Sequence, residues 1–184
     1  MVKSKTLFFA ALVPPQVVKE KVRNLKLEIR EKVGAAHALK LPAHITLIPP
    51  FWLQNSQEKE FLEVLRVVGD KQKSFPVELK DFGRFDQRVI FLNVVDHAPI
   101  QELHKILSQA LEEILSPAKE KKLHPHVTLA ARDLPRSQFK VAWERLRERK
   151  IHLSFEAKSI TVFRHNGKTW DVLEEIFFNN ENYS

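Results

Sequence analysis

The order of apolar patterns in this chain runs twice. Thr6–Val13 reads as a strand, followed by a helical stripe of Val18, Val22, Leu25, Ile29 and Val33 between Pro14-Pro15 and Gly34. A short strand at Ile45–Ile48, a stripe of Phe61, Leu62, Leu65 and Val68 ending at Gly69, and a strand at Val77–Phe82 complete the first pass. The second pass opens on a strand at Val89–Val95. A stripe of Ile100, Leu103, Leu107, Leu111 and Ile114 follows, opened by Asp96 and Pro99 and closed before Pro117. Then come Val127–Ala130, a stripe of Phe139, Ala142, Trp143 and Leu146, and a strand at Leu153–Phe163. One more strand, Thr169–Phe178, closes a hairpin through "RHNGKTW", with Asn166-Gly167 at its turn. Leu7 precedes His44 by 37 residues and Ile90 precedes His126 by 36, and "SFPVELKDFGRF" (74–85) matches "HLSFEAKSITVF" (152–163) in place. No linker separates the halves. The expectation is one domain over residues 1–184, made of two lobes, each a small sheet backed by helices.

Each pass carries the same polar insertion in an apolar strand: "HITL" at 44–47 and "HVTL" at 126–129. Residues i and i+2 share a strand face, so His44 projects with Thr46, and His126 with Thr128. If the pseudo-symmetry sets these strands side by side, two imidazoles and two hydroxyls meet between the lobes. One neutral His can take a proton from an attacking oxygen while a protonated one supplies the leaving oxygen. Threonine hydroxyls can hold the non-bridging oxygens of a phosphate. That chemistry needs no metal and no cofactor. A single His-x-Thr is weak evidence, since Thr favours strands and a His can be a satisfied boundary residue. Two copies in register are much harder to read as packing.

The net charge of +7 favours polyanionic partners, although the basic residues are spread along the chain with only "KEKK" (119–122) clustered. The absence of cysteine removes disulfides, thiolate metal sites and a Cys nucleophile, and suits a cytoplasmic location. The opening "MVKSKTLFFAALVPP" has the look of a signal peptide, but it ends in Val-Pro-Pro without a small-residue cleavage site and reads better as a buried first strand. No apolar run reaches membrane-spanning length.

The two motifs, with "FFAALVPP" (8–15) and "ITVFRHNGKTWDVL" (160–173), resemble the 2H phosphoesterase superfamily over nearly the whole chain, in particular its 2′-5′ RNA ligase and 2′,3′-cyclic phosphodiesterase branch. The resemblance implies an α+β, bilobal fold with antiparallel sheets facing a central groove and helices outside. It also implies metal-independent opening of 2′,3′-cyclic phosphates on RNA ends or nucleotides. His44 would protonate the leaving 3′-oxygen, His126 would activate water or, in the ligation direction, a 5′-hydroxyl, and Thr46 and Thr128 would bind phosphate. Many members carry an Arg five residues after the second His. Here Ala131 holds that place and Arg132 follows, on the same face as His126 if the strand continues. The first motif runs into Pro49-Pro50-Phe51 instead of the more usual Phe-Leu-Gly.

Other residues give weaker signals. Phe51 and Trp52 are candidates to stack a base, as is Trp170, against a core role for each. His124 and His126 are spaced to chelate zinc if a further ligand joins them, but no acidic residue accompanies either motif. His104 lies beside the third apolar stripe and reads as a helix-boundary residue, while His37, His97, His152 and His165 carry no signal. The rival function is a non-catalytic RNA- or nucleotide-binding protein using the same basic cleft, although binding alone needs no pair of imidazoles. A monomer is expected, with no membrane and no metal partner.

Overall fold

The computed structural model describes residues 4–115 and 122–179. Its first half runs β1 (Lys5–Leu12), α1 (Gln16–Val33), β2 (Ile45–Gln54), α2 (Glu58–Lys71) and β3 (Phe75–Phe85). The second runs β4 (Val89–Val94), α3 (Ala98–Ala110), β5 (His126–Ala130), α4 (Arg136–Leu146) and β6 (His152–Ala157). β7 (Ser159–His165) and β8 (Trp170–Phe177) follow. The expected α+β architecture is present as two four-stranded antiparallel sheets, ordered β2-β1-β7-β8 and β5-β4-β3-β6.

The sheets do not follow the sequence halves. β3 leaves the first half and pairs with β4, because the connection, residues 86–88, is only long enough to join antiparallel neighbours. The segment expected as one strand at Leu153–Phe163 is two strands in different sheets, parted at Lys158. β7 then returns to pair with β1. The helices are exchanged as well: α1 packs against β5, β6 and α4, while α3 packs against β2 and α2, and α2 against β8. One hydrophobic cluster therefore unites residues of both sheets and all four helices, including Phe8, Leu47, Val22, Phe61, Ile100, Leu92, Val127 and Phe139.

Local boundaries follow from identifiable residues. Gly34 ends α1 in the left-handed region (φ 77°) and donates its N–H to the Arg30 carbonyl. Gly69 is not a stop. It lies inside α2, where a β-carbon would lie 2.7 Å from Ile176 Cγ2 of β8, so its role is close approach. α3 ends at Ala110, leaving Leu111 and Ile114 of the expected stripe in the turn beyond it; the expected stop at Pro117 falls outside the described residues, as does most of the basic cluster at 119–122. β2 runs well past the expected Ile48, through Pro49 and Pro50, with register shifts against β1. An edge strand tolerates prolines because one side of it has no ladder to complete. The hairpin of β7 and β8 turns over residues 166–169, with Gly167 at φ 97° and Asn166 Oδ1 accepting from the N–H groups of Lys168 and Thr169.

Candidate active site

β1 turns Phe8, Ala10 and Leu12 to the main core, and Phe9 and Ala11 to the opposite face. Ala11 pairs with Thr46, which places the first motif on that second face. In the other sheet, Thr128 pairs with Phe91 and His126 with Asn93. β2 and β5, the edge strands that carry the motifs, approach each other, closely enough that a charge on His126 disfavours protonation of His44. The fold thus brings His44 and His126 near each other, each with the threonine two residues on turned to its own side of the strand.

The two histidines are held in the same way. His44 Nδ1 lies 2.9 Å from the carbonyl oxygen of Pro42, and His126 Nδ1 lies 2.6 Å from that of His124. A carbonyl can only accept, so each Nδ1 carries the proton and each Nε2 is left with its lone pair in the neutral ring. Neither threonine hydroxyl has a hydrogen-bond partner among the described residues, so both are free to donate to a ligand.

Each imidazole also rests on a pair of phenyl rings. Phe9 and Phe163 stack at 4.5 Å with 3° between their planes, and Phe9 lies 5.5 Å from the His44 ring. Phe91 and Phe85 lie 4.4 Å apart, each 5.0 Å from the His126 ring. Periodicity does not mark these supports, although they leave a trace in the sequence: Phe9 precedes His44 by 35 residues, and Phe91 precedes His126 by 35. Phe85 and Phe163 are likewise equivalent ends of the matched segments 74–85 and 152–163.

Burial in this apolar setting pushes the His44 imidazole down to about 4 from its ordinary 6.5. The carbonyl bond to Pro42 works the other way, and the charges of Lys26 and His126 add to the depression. His126 is lowered too, by burial first, against its bond to the His124 carbonyl, with His124 and His97 adding to the lowering. Both rings are therefore neutral in the unliganded protein near neutral pH.

Lys26 is a second residue that periodicity does not reveal. It sits on α1 with only 3 % of its surface exposed, and its ammonium donates to the carbonyls of Ala38 (2.9 Å) and Leu41 (3.1 Å). No carboxylate pairs with it among the described residues, and burial, with Arg23 nearby, lowers it to about 8. Its bonds pin the segment that leads into Pro42 and His44. Asp133 holds the same segment from the other lobe: seven residues past His126, its Oδ2 accepts from the N–H groups of Ala36 (2.8 Å) and His37 (2.7 Å), the latter seven residues before His44.

Among the remaining candidates, Arg132 and Phe51 are placed differently from expectation. β5 ends at Ala130 and Arg132 takes φ 58°, so the strand alternation meant to carry it to the His126 face stops short. Its charge is felt by His37 at the 3₁₀ turn of residues 37–40. Phe51 pairs with Phe8 and packs on Phe8 and Phe61, on the core face of its sheet and away from the cleft. Phe51 is five residues past Thr46, an odd offset, so strand alternation itself turns it to the opposite side, and the two one-residue register shifts between them leave that parity unchanged. Trp52 is 65 % exposed and pairs with Leu7, on the Phe9 face but four positions along β1 from Ala11, the partner of Thr46. Trp170 meets Phe9 edge-on at 4.7 Å and touches His165. His104 ties α3 to the main chain of β2, its Nδ1 donating to the Leu47 carbonyl at 2.7 Å. His124 touches His97, Phe85 and Phe91, and no group of three metal-binding side chains converges among the described residues.

Two concavities are formed by other residues. One, of about 470 Å³, opens beside Pro42 over Thr161 and Phe163 and reaches the exposed side chains of Val172 and Phe177. The other, of about 410 Å³, lies at the β3–β4 turn.

Two pseudo-equivalent strands carry neutral imidazoles and free hydroxyls, groups able to exchange protons and to donate to an anion. A family profile described as the 2′-5′ RNA ligase superfamily matches residues 13–169, and the chain belongs to that superfamily, within the 2H phosphoesterases. Among relatives, a protein of Geobacillus sp. strain WCH70, provisionally named a phosphoesterase, is 27% identical over 84% of this chain and 88% of its own. One of Geobacillus kaustophilus with the same provisional name is 25% identical over 89% and 91%. Among solved structures, Escherichia coli LigT complexed with 3′-AMP shares the fold at TM-score 0.70 and 17% identity, over 96% of this chain and 99% of that one. TT0787 of Thermus thermophilus does so at 0.68 and 20%, over 96% and 100%.

Proposed function

We propose that this phosphoesterase-family protein opens 2′,3′-cyclic phosphates of RNA ends or nucleotides, with His44, Thr46, His126 and Thr128 as its catalytic residues. The observation that carries this reading is the matched pair of Nδ1-to-carbonyl bonds, which leaves an Nε2 available on each side of the cleft. The complex of LigT with 3′-AMP supports a nucleotide ligand for a fold of this kind.

In the forward reaction His126 Nε2 takes a proton from water as the water oxygen bonds to phosphorus. The bond from phosphorus to the 3′-oxygen breaks, and His44, protonated at Nε2, gives its proton to that oxygen. A 2′-phosphate and a free 3′-hydroxyl result, and the non-bridging oxygens are held by the Thr46 and Thr128 hydroxyls. With a 5′-hydroxyl in place of water as the nucleophile, His126 takes the proton of that hydroxyl, the bond to the 3′-oxygen breaks in the same way, and a 2′-5′ phosphodiester with a free 3′-hydroxyl results. The depressed basicity of His44 sets a condition on this assignment: the anionic substrate must itself raise His44 enough for it to hold a proton. Trp52, exposed on the cleft-side face, is the base-stacking candidate; Phe51, turned to the core, is not. Arg132 at the cleft margin is a candidate for substrate phosphate.

The test is turnover of a 2′,3′-cyclic nucleotide in the presence of excess EDTA, with the product resolved as a 2′- or 3′-phosphate. A 2′-phosphate formed by the native protein and lost in His44→Ala and His126→Ala fits the proposal. Absence of hydrolysis, or hydrolysis undiminished in both variants, refutes it and favours a binding protein.

A further inference from the structure

Three arginines ring the concavity at the β3–β4 turn: Arg84, Arg88 and Arg136, together with Asp86 and Gln87. One carboxylate against three guanidinium groups leaves a net positive cavity of about 410 Å³. Among the described residues none of the three arginines enters an ion pair. Arg84 has a structural anchor, lying 5.7 Å over the Trp143 ring and donating to the Asp86 carbonyl. The side chains of Arg88 and Arg136 have no such anchor among the described residues.

Arg136 is placed against its own helix. It is the first residue of α4, whose first turn holds no acidic residue and whose N-cap, Pro135, offers no side-chain acceptor. A cation at that end opposes the helix dipole, where an anion is favoured. Nothing in the packing requires an arginine there, so its placement makes sense if an anion joins it. Phosphate suits such a setting, because guanidinium groups grip it bidentately and helix N-termini attract it.

The cavity holds neither histidine, but its neighbours reach the His126 strand. Phe85 follows Arg84 in β3 and touches His126. Ala130, at the cavity end of β5, pairs with Ile90 beside the turn. From His126 to Ala130 is four residues, roughly 13 Å of strand at about 3.3 Å per residue.

We propose that the Arg84–Arg88–Arg136 cavity is a second phosphate site, which grips a backbone phosphate of a polynucleotide whose end lies in the histidine cleft. The inference rests on the phosphodiesterase reading for what occupies the cleft, and it makes the substrate a chain and not a mononucleotide. The same chemistry would take free phosphate, and the test separates the two sources.

Binding of a fluorescent single-stranded RNA octamer bearing a stable 3′-phosphate is measured against salt concentration, in parallel with a mononucleotide 3′-phosphate and with inorganic phosphate as competitor. For the double variant Arg88→Ala/Arg136→Ala, the slope of log affinity on log salt for the octamer falls by about 0.7 for each phosphate that the arginines no longer grip. The mononucleotide slope stays where it was, and the Arg88→Lys/Arg136→Lys pair restores much of the octamer slope. Arg136→Ala unfolds thermally at or above the native temperature, which excludes misfolding as the cause. An unchanged octamer slope overturns the proposal, as does an equal loss for the mononucleotide. A native octamer affinity matched by inorganic phosphate at the same site, with no dependence on chain length, also overturns it. Because the readout is binding, it stands apart from turnover: absence of cyclic-phosphate hydrolysis would sink the phosphodiesterase reading and leave the slope result to decide the cavity.

Discussion

Gly83 lies beneath the ring of Phe91 so closely that a β-carbon there would stand 2.4 Å from Phe91 Cε2 and 2.5 Å from Asn93 Oδ1. Phe91 is the ring on which His126 rests, and Asn93 is the strand partner of His126. The absence of one methyl group in β3 therefore sets the seat of an imidazole two strands away. We expect Gly83→Ala to cost about 1–3 kcal/mol of stability, the range for overpacking a filled site. Turnover should fall more than tenfold at a temperature where the variant remains folded. Calorimetry alongside kinetics checks this; a variant with native activity would show that the Phe91 seat is not needed.

His44→Ala and His126→Ala are each expected to lower kcat by about 10²–10⁴-fold, since each removes one proton transfer. Together they should cost less than the product of the two, because the pair acts as a unit. Thr46→Val and Thr128→Val should cost less than either, removing one phosphate donor and leaving the proton transfers in place. Steady-state kinetics on a cyclic mononucleotide reads all of these.

Stability should fall with acid through the His44 ring. Its folded pKa, about 4, lies below the 6.5 of an unstrained imidazole, so between those values the unfolded chain binds a proton that the folded one refuses. The contribution is fully present above about pH 6.5 and is lost as pH falls toward 4, on the order of 2–3 kcal/mol. Denaturant titrations at pH 7, 5.5 and 4.5 should show that slope, and His44→Gln should flatten it. A phosphate ligand that raises both rings should protect in the same window.

The pH dependence of activity follows from the same shift. In the free protein both imidazoles are lowered, so the bell for kcat/KM is expected to lie on the acid side of 6.5. In the complex the substrate anion raises the proton affinity of the pair, and the bell for kcat should move toward neutrality. Its limbs belong to the coupled pair and not to one named histidine. Identical profiles for kcat and kcat/KM would contradict this account.

Lys26→Met removes a buried charge that lacks a carboxylate partner among the described residues. Burying that ammonium is costly, so the variant should be as stable as the native protein or more so at pH 7, where the lowered lysine is still mostly protonated. Activity should nonetheless drop, because the carbonyls of Ala38 and Leu41 lose their donor and the approach to His44 loosens. Arg132→Ala, by comparison, should raise KM with little change in kcat if Arg132 meets substrate phosphate. Melting curves and Michaelis parameters for the two variants separate a residue that holds the cleft from one that binds at its margin.

The helices and strands, the duplicated order and the four residues His44, Thr46, His126 and Thr128 are legible in the sequence because each is a local pattern. Apolar period marks α1 through α4, and strand alternation puts each His on the face of its Thr. Alternation fails where the backbone leaves the regular strand, at the left-handed Arg132 beyond Ala130, whereas it does carry Phe51, five residues from Thr46, to the core side. What only the tertiary structure decided is which pieces meet. Periodicity carries no information about the partner of a strand, so the transfer of β3 to the second sheet, the return of β7 to the first and the exchange of helices between lobes could not be read from it. The same holds for Phe9 with Phe163, Phe85 with Phe91, Lys26 under the His44 segment and Asp133 across the lobes. These contacts join residues far apart in the chain, and those around the two histidines set the burial that keeps both imidazoles neutral near neutral pH.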